Sequence, residues 1–468
     1  MKKTKIVCTL GPATTEVSVL KKMIQAGMNV ARINMSHGDH AEHMERITNL
    51  RKASEELGIH CGILVDLSGP KIRTGDYTTP TVDLVPGKKI ILTTETIIGD
   101  EKRMSVSYAK LPQEVRKGSV IMLDDGRRKL VVNKVEGNDI HCTIEIGGII
   151  KPRRGVNIPN GNLSIASLTA KDKKDLDWAL EQPIDIDFVA LSFVRTPSDV
   201  EDLQKILKKK NKFPEIIAKI ETAEAIEHFD TILETVHGVM IARGDLAVET
   251  PREKTPIYQK ELIRKSIAKG KYTIVATQMM ESMINAPQPT RAEVSDAANA
   301  IFDGTDAIMT SEETSLGQYP VETVTTMASI AQNVEDTEQK IIDVTYDIQF
   351  PISHSVAHST QETSERIGAK LIVALTESGR TAQEVAHFRG TKSILALTPK
   401  RTTAQKLSIV RGVTAQVYEP KDITDSRPEI TALAQKQFSL KKNDIIIIAS
   451  GGNMRQTGAT NMMIVEKI

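Results

Sequence analysis

The chain has 468 residues, enough for about three domains, and its 40% apolar and 26% charged residues are those of an ordinary globular protein. With 61 basic and 60 acidic side chains the net charge is +1. That excludes the electrostatic footprint of a nucleic-acid or anionic-membrane binder, so any anionic ligand has to be held by a local site.

The N-terminal residues lead straight into a short apolar run at 6–10, too short for the apolar core of a signal peptide. No apolar stretch reaches the ~18 residues of a membrane span, so a cytoplasmic protein is expected. Cys8, Cys61 and Cys142 are odd in number, widely spaced and set in apolar runs. They read as small buried thiols in a reducing compartment, without zinc-ligand spacing.

Strand-like apolar runs recur at 5–10, 29–34, 62–67, 187–193, 215–221, 238–242, 272–278 and 307–311. Amphipathic segments such as 16–26, 41–57 and 255–269 lie between them, and strand alternating with helix predicts a parallel sheet. Eight such units predict a closed (β/α)8 barrel. One interval, 70–167, breaks the rhythm with short runs bounded by Gly, Asn and Asp, which predicts an all-β module inserted in a loop. Removing it leaves 1–69 and 168–340, close to the ~250 residues of a barrel. The tail, 341–468, alternates again, with runs at 371–376, 393–398, 415–418, 444–450 and 462–467. It predicts a C-terminal α/β domain whose last two strands pair antiparallel, because the stretch joining them is too short for a crossover helix. Residues 346–353 read as the exposed connection into it.

Barrel chemistry sits at the C-terminal ends of the strands. There the second run gives Arg32-Ile33-Asn34-Met35-Ser36-His37, and strand period 2 puts Arg32, Asn34 and Ser36 on one face. The third run ends at Asp66 and is followed by Gly69-Pro70-Lys71-Ile72-Arg73; the fifth ends in Lys219-Ile220-Glu221. Arg243-Gly244-Asp245, Thr277-Gln278 and Ser311-Glu312-Glu313 complete the set. Singly each has a bland reading: Lys219 and Glu221 as a structural ion pair, Asp245 as a helix N-cap. Together, so many charges at one mouth are costly to bury without a purpose. The chemistry that fits is phosphoryl transfer, which needs cations around phosphoryl oxygens and a divalent metal. Glu221 and Asp245 suit Mg2+, which takes few protein ligands. Lys219, Arg73 and Arg32 suit phosphate oxygens.

At these positions the chain resembles the pyruvate kinase family. The resemblance runs through nearly the whole length and includes Ala31-Arg32-Ile33-Asn34-Met35-Ser36-His37-Gly38, Gly69-Pro70-Lys71-Ile72-Arg73-Thr74-Gly75, Lys219-Ile220-Glu221, Ala242-Arg243-Gly244-Asp245-Leu246 and Ala276-Thr277-Gln278-Met279-Met280-Glu281. It implies transfer of the phosphoryl group of phosphoenolpyruvate to ADP, giving pyruvate and ATP, with Mg2+ or Mn2+ on Glu221 and Asp245. It implies that Lys219 stabilises the transferring phosphoryl group. Backbone at Gly244 and Asp245 and the Thr277 hydroxyl would hold the substrate carboxylate, and Arg32 and Arg73 would contact phosphates. Asn34, His37, Arg73 and Arg154 would face the nucleotide, and Thr277, Ser311 and Glu313 would serve enolate protonation. The family also implies a homotetramer and a phosphorylated allosteric effector, placed on the loop Thr376, Ser378, Gly379, Arg380, Thr381. Glu377 stands in that loop where some members carry Lys, which favours a sugar monophosphate or nucleotide effector over a bisphosphate.

The potassium-dependent members carry Thr and Glu where this chain has Leu67 and Lys71. The resemblance therefore implies a monovalent site, with remnants at Asn34, Ser36, Asp66 and Leu67, that Lys71 replaces, and no need for K+. Two other readings remain at this point: a metal-enolate lyase of the phosphoenolpyruvate/pyruvate type, and a phosphometabolite sensor that has lost the reaction.

Overall fold

The computed structural model describes residues 2–159, 161, 163–337, 346–347, 350–419, 423–451 and 460–468. Eight parallel strands close into a barrel: β1 (Lys5–Thr9), β2 (Val30–Asn34) and β3 (Gly62–Asp66) before the insertion, and five after it. The insertion carries β4 (Val82–Leu84), β5 (Lys89–Thr93), β6 (Arg103–Ser105), β7 (Val120–Leu123), β8 (Arg128–Glu136), β9 (Asp139–Ile146), β10 (Gly148–Ile150) and β11 (Val156–Asn157). The barrel resumes with β12 (Phe188–Leu191), β13 (Glu215–Ile220), β14 (Gly238–Ala242), β15 (Tyr272–Ala276) and β16 (Ala307–Thr310), in the closed order β1-β16-β15-β14-β13-β12-β3-β2. Runs such as Gly-Val-Met-Ile-Ala in β14 are buried throughout, as strands covered on both faces must be.

The inserted strands form a six-stranded sheet, β11-β7-β8-β9-β5-β6, and a two-stranded one, β10-β4, around their own apolar core. A short helix, Leu111–Glu114, interrupts them. At the root of this module the outgoing and returning chains pair at Arg73 and Gly155.

The C-terminal sheet is β19-β18-β17-β20-β21, built from β17 (Leu371–Leu375), β18 (Ser393–Thr398), β19 (Val413–Val417), β20 (Ile445–Gly451) and β21 (Thr460–Lys467). Only β21 is antiparallel, pairing with β20 as the short connection requires. Apolar side chains of the barrel, such as Val7, Leu64 and Met240, share one core with Ile372 and Ala396 of this sheet, so the C-terminal domain covers the base of the barrel.

One expectation needs correction and one needs refinement. Strand β2 stops at Asn34; Ser36 lies in a turn whose amide donates to Asn34 Oδ1 at 3.1 Å, so the shared strand face ends before Ser36. The segment 346–353 is exposed at Asp347, Phe350, Pro351 and Ile352, as expected of a connection, but it is anchored at both ends. Tyr346 packs against the rings of His354, His387 and Phe388, and a helix, Pro351–Arg366, already begins there with Ser353 buried. The 340/341 boundary lies outside the described residues.

Candidate active site

The open ends of β2, β3, β13, β14, β15 and β16 gather most of the residues that the sequence singles out. Arg32 is buried and its guanidinium donates to Asp66 Oδ2 through Nε at 2.7 Å and to Thr9 Oγ1 through Nη1 at 2.9 Å. Burial alone would raise the Asp66 carboxyl; Lys219 and Arg32 beside it hold it below its usual range. The Lys219 ammonium donates to Ser192 Oγ at 2.7 Å and stands 3.0 Å from Glu221 and 3.4 Å from Asp66. Burial disfavours that cation, yet Asp66 and Glu221 keep its pKa above the ordinary lysine value.

Glu221 is 1% exposed, and its second oxygen accepts from the Phe193 amide at 2.8 Å. Burial pushes this carboxyl up, and nearby Asp245 adds to the effect, against the pull of Lys219. A buried carboxylate whose charge a neighbouring carboxylate disfavours suits a divalent cation between them. Among the described residues no group of three or more His, Cys, Asp or Glu is placed to hold a metal ion.

Asp245 lies in the first turn of the helix Arg243–Glu249, whose N-cap is Ala242, so the bland N-cap reading does not describe it. The Gly244 amide donates to Thr277 Oγ1 at 2.8 Å, and Thr277 Oγ1 itself donates to Ala276 O. Thr277 and Gln278 have φ of 74° and 54°. A β-branched residue in that region costs on the order of 1–3 kcal/mol and persists only when its surroundings impose it. Here Arg243 imposes it: the guanidinium donates to Thr277 O at 2.8 Å while pairing with Asp296 at 2.7 Å. Glu313 is buried; its oxygens accept from the amides of Met280 and Ser311, tying the turn after β15 to the turn after β16.

The cleft between barrel and insertion encloses about 1000 Å³ and is lined by Gly244, Asp245, Thr277 and Ser311 below and Lys71 and Arg154 above. Arg154 stands 3.5 Å from Asp124, and Arg73 donates to the Arg153 carbonyl at 3.2 Å. Lys71 is exposed, with its stem near Gly155. His37 is kept below its usual pKa by burial and then by the cations Arg73, Lys71 and Arg32.

Sequence reasoning missed Ser192, which links Lys219 to the Leu67 carbonyl (2.7 Å), and Arg243 as the brace of the strained turn. It also missed the insertion's cations Arg127, Arg128 and Lys151 at the cleft. A polar residue interrupting Leu191-Ser192-Phe193 was the available signal for the first.

On the C-terminal domain, Gly379 (φ 91°) opens the helix Arg380–His387 and its amide donates to Thr376 Oγ1 at 3.0 Å. Ser378 is exposed, whereas the Thr381 hydroxyl meets Thr460 at 2.8 Å. Arg380 turns away, its guanidinium 3.8 Å over the Phe350 ring. Glu377 pairs with Lys400 at 2.7 Å, a cation that sequence reading did not bring to this loop.

A barrel that gathers cations and carboxylates under an inserted β cap defines a phosphotransferase of the barrel class. The family model described as "Pyruvate kinase, barrel domain" matches residues 1–324, and "Pyruvate kinase, alpha/beta domain" matches 354–466. A pyruvate kinase of Staphylococcus saprophyticus is 42% identical over 99% of this chain and 80% of its own length. One of Geobacillus stearothermophilus is 41% identical over 100% of this chain and 80% of its own. A crystal structure of a pyruvate kinase from Cryptosporidium parvum superposes with a TM-score of 0.92 at 33% identity, covering 100% of this chain and 96% of that one. The chain belongs to the pyruvate kinase family, whose members transfer a phosphoryl group from phosphoenolpyruvate to ADP and generally use Mg2+ and K+.

Proposed function

We propose that the mouth of this barrel performs that transfer with the following division of labour. Lys219 stabilises the phosphoryl group in transit, and Arg32 and Arg73 hold phosphate oxygens. Glu221 and Asp245 would hold Mg2+ (or Mn2+), which when bound neutralises charge developing on the transferred group. The Gly244 amide and the Thr277 hydroxyl, which satisfy each other here, turn to the substrate carboxylate. Asn34, His37, Arg73 and Arg154 face the nucleotide, and Ser311 and Glu313 support enolate protonation beside Thr277. The observation that carries this reading is the Lys219 ammonium, within 3.4 Å of Ser192, Glu221 and Asp66 at the strand ends. Pyruvate formation should require ADP, and Glu221→Gln should raise the half-saturating Mg2+ concentration by about 10–100-fold. ADP-independent product would favour the lyase reading, and substrate binding without turnover the sensor reading.

Potassium is dispensable in this chain under the same reading. Three of the oxygens that would coordinate it already accept from protein donors: Asn34 Oδ1 from the Ser36 amide, Asp66 Oδ2 from Arg32, and the Leu67 carbonyl from Ser192. Lys71 supplies a positive charge at the neighbouring cleft wall, and a potassium ion beside it would meet like-charge repulsion. The domains divide as 1–69 with 168–340, 70–167 as a lid, and 341–468 as a regulatory domain. A phosphorylated effector binds the loop of Thr376, Ser378, Gly379, Arg380 and Thr381; titration with a sugar monophosphate, a nucleotide and a bisphosphate at low phosphoenolpyruvate tests which. The working form is a cytoplasmic homotetramer, which sedimentation tests. Among the described residues no helix is long and apolar enough to cross a membrane.

A further inference from the structure

We propose that Asp172, supported by Lys171, is the pivot of the inserted lid and positions its nucleotide-facing residues. The chain leaves the barrel at Ser68-Gly69 and returns at Thr169, and one carboxylate holds both crossings. Asp172 is 0% exposed. Its Oδ1 accepts from the Gly69 amide at 3.1 Å, and its Oδ2 accepts from the Thr169 amide at 2.9 Å and the Thr169 hydroxyl at 2.6 Å. The bond from the Thr169 amide, with the Asp172 amide donating back to Thr169 Oγ1 at 3.1 Å, is the capping box that starts the helix Ala170–Glu181. An ordinary capping box satisfies its own helix only; this one also reaches a chain 103 residues away.

Lys171 adds a second tie. Its ammonium donates to the Met35 carbonyl at 2.6 Å and to Ser68 Oγ at 3.4 Å, and it pairs with Asp175 at 2.6 Å. The loop that carries Ser36 and His37, the outgoing hinge and the returning helix are thereby fastened to one another. Gly69 is seated against the catalytic wall: a Cβ there would stand 2.8 Å from Ser192 Cβ, and Gly69 already has φ of 66°. Ser192 is the residue that holds Lys219.

Above the pivot the two chains form a ribbon. The Thr74 amide donates to Arg154 O at 2.9 Å and the Val156 amide to Ile72 O at 2.9 Å. A ribbon pinned at its base by one carboxylate swings as a unit, so Arg73 and Arg154 arrive at the nucleotide together. Hinge positions absorb the motion far from the chemistry, and changing them alters turnover and the Michaelis constant together. The proposal rests on the assignment of Arg73 and Arg154 to the nucleotide.

The test compares Asp172→Asn, Lys171→Met and Arg154→Met in the full chain. Asparagine keeps the shape of Asp172 but turns a donor towards one of the three groups the carboxylate serves. The Lys171 side chain is 56% exposed, so its variant tests the pivot even if Asp172→Asn fails to fold. Emission of Trp178, the chain's only tryptophan and part of the same helix, checks that the helix is intact. Each pivot variant should raise the KM for ADP by about fivefold or more and lower kcat. Calorimetric affinity for phosphoenolpyruvate with Mg2+ should fall by less than the affinity for ADP, since of the residues assigned to that site only Arg73 rides on the ribbon. An unchanged KM for ADP in both pivot variants, with a raised one in Arg154→Met, overturns the pivot. Equal loss of both affinities overturns it as well, as general damage. No change in any of the three variants overturns both the pivot and the nucleotide assignment.

Discussion

The mouth and the base of the barrel both bury charge, but they do so differently. At the base the charges close on protein partners across the seam with the C-terminal domain. Arg389 forks onto Asp306 at 2.8 and 2.6 Å, and Arg411 meets Glu335 at 2.9 Å. At the mouth Asp66 and Glu221 are as deeply buried and Lys219 is largely so, yet burial, with Asp245 adding to it, raises Glu221 against the pull of its lysine. The mouth also holds Thr277 at φ 74°, with no glycine to relieve it. Buried ion pairs at the base serve docking, and a carboxyl raised by burial occurs there too, at Glu215; what sets the mouth apart is the backbone strain and the second carboxylate beside Glu221, which a substrate and a cation would relieve.

The sharpest way to break this contrast is to neutralise one charge at each end. Lys219→Met should cost ~10²–10³ in turnover, as loss of one preorganised donor does, with melting temperature close to the parent. Asp306→Asn should do the reverse. Removing one partner of a buried pair costs roughly 3–5 kcal/mol, so calorimetry should show a lower Tm while turnover of the folded fraction stays within about threefold. A large loss of turnover in Asp306→Asn would erase the distinction.

A second measurement concerns the cation supply at the mouth. Adding K+ to enzyme assayed in tetramethylammonium buffer should change the rate by less than about twofold, since Lys71 already brings a charge to the cleft. Activation of about tenfold would contradict the potassium reading. Lys71→Glu should be slow without K+ and partly restored by it.

The smallest effect belongs to the base. Burial raises the Glu215 carboxyl to about 7, against the help of Lys406 and the Tyr272 hydroxyl. A carboxyl raised on folding contributes stability that is present below its unfolded value of ~4.3 and is lost as pH rises through the folded value. Glu215→Gln should therefore melt slightly higher than the parent at about pH 8, with the difference disappearing below about pH 4. A difference that grows towards acid would reverse the sign and overturn this reading of Glu215.

Much of this was legible in the sequence for a physical reason. Barrel strands buried on both faces leave continuous apolar runs, so their number and the long gap after β3 can be counted directly. Lys219, Glu221, Asp245 and Thr277 stood out because polar groups ending such runs have no packing role. What the sequence hid were ties between distant residues. Ser192 reaches Leu67 across 125 positions, and Asp172 reaches Gly69 across 103. Nothing in local pattern marks such partners. The end of β2 at Asn34 was hidden too, because an asparagine that caps its own turn looks like one more alternating polar residue. The segment at 346–353 is as exposed as its sequence suggests at Phe350 and Ile352, but the packing of Tyr346 on His387 and Phe388 was not legible.

The central claim is that the mouth is organised around charge that develops during transfer. The affinity of Lys219→Met for phosphoenolpyruvate with Mg2+, measured by calorimetry beside its turnover, tests that claim most directly. The account predicts affinity within about threefold of the parent while turnover falls by ~10²–10³. An affinity that falls in proportion to turnover would make Lys219 a ground-state binder and contradict it.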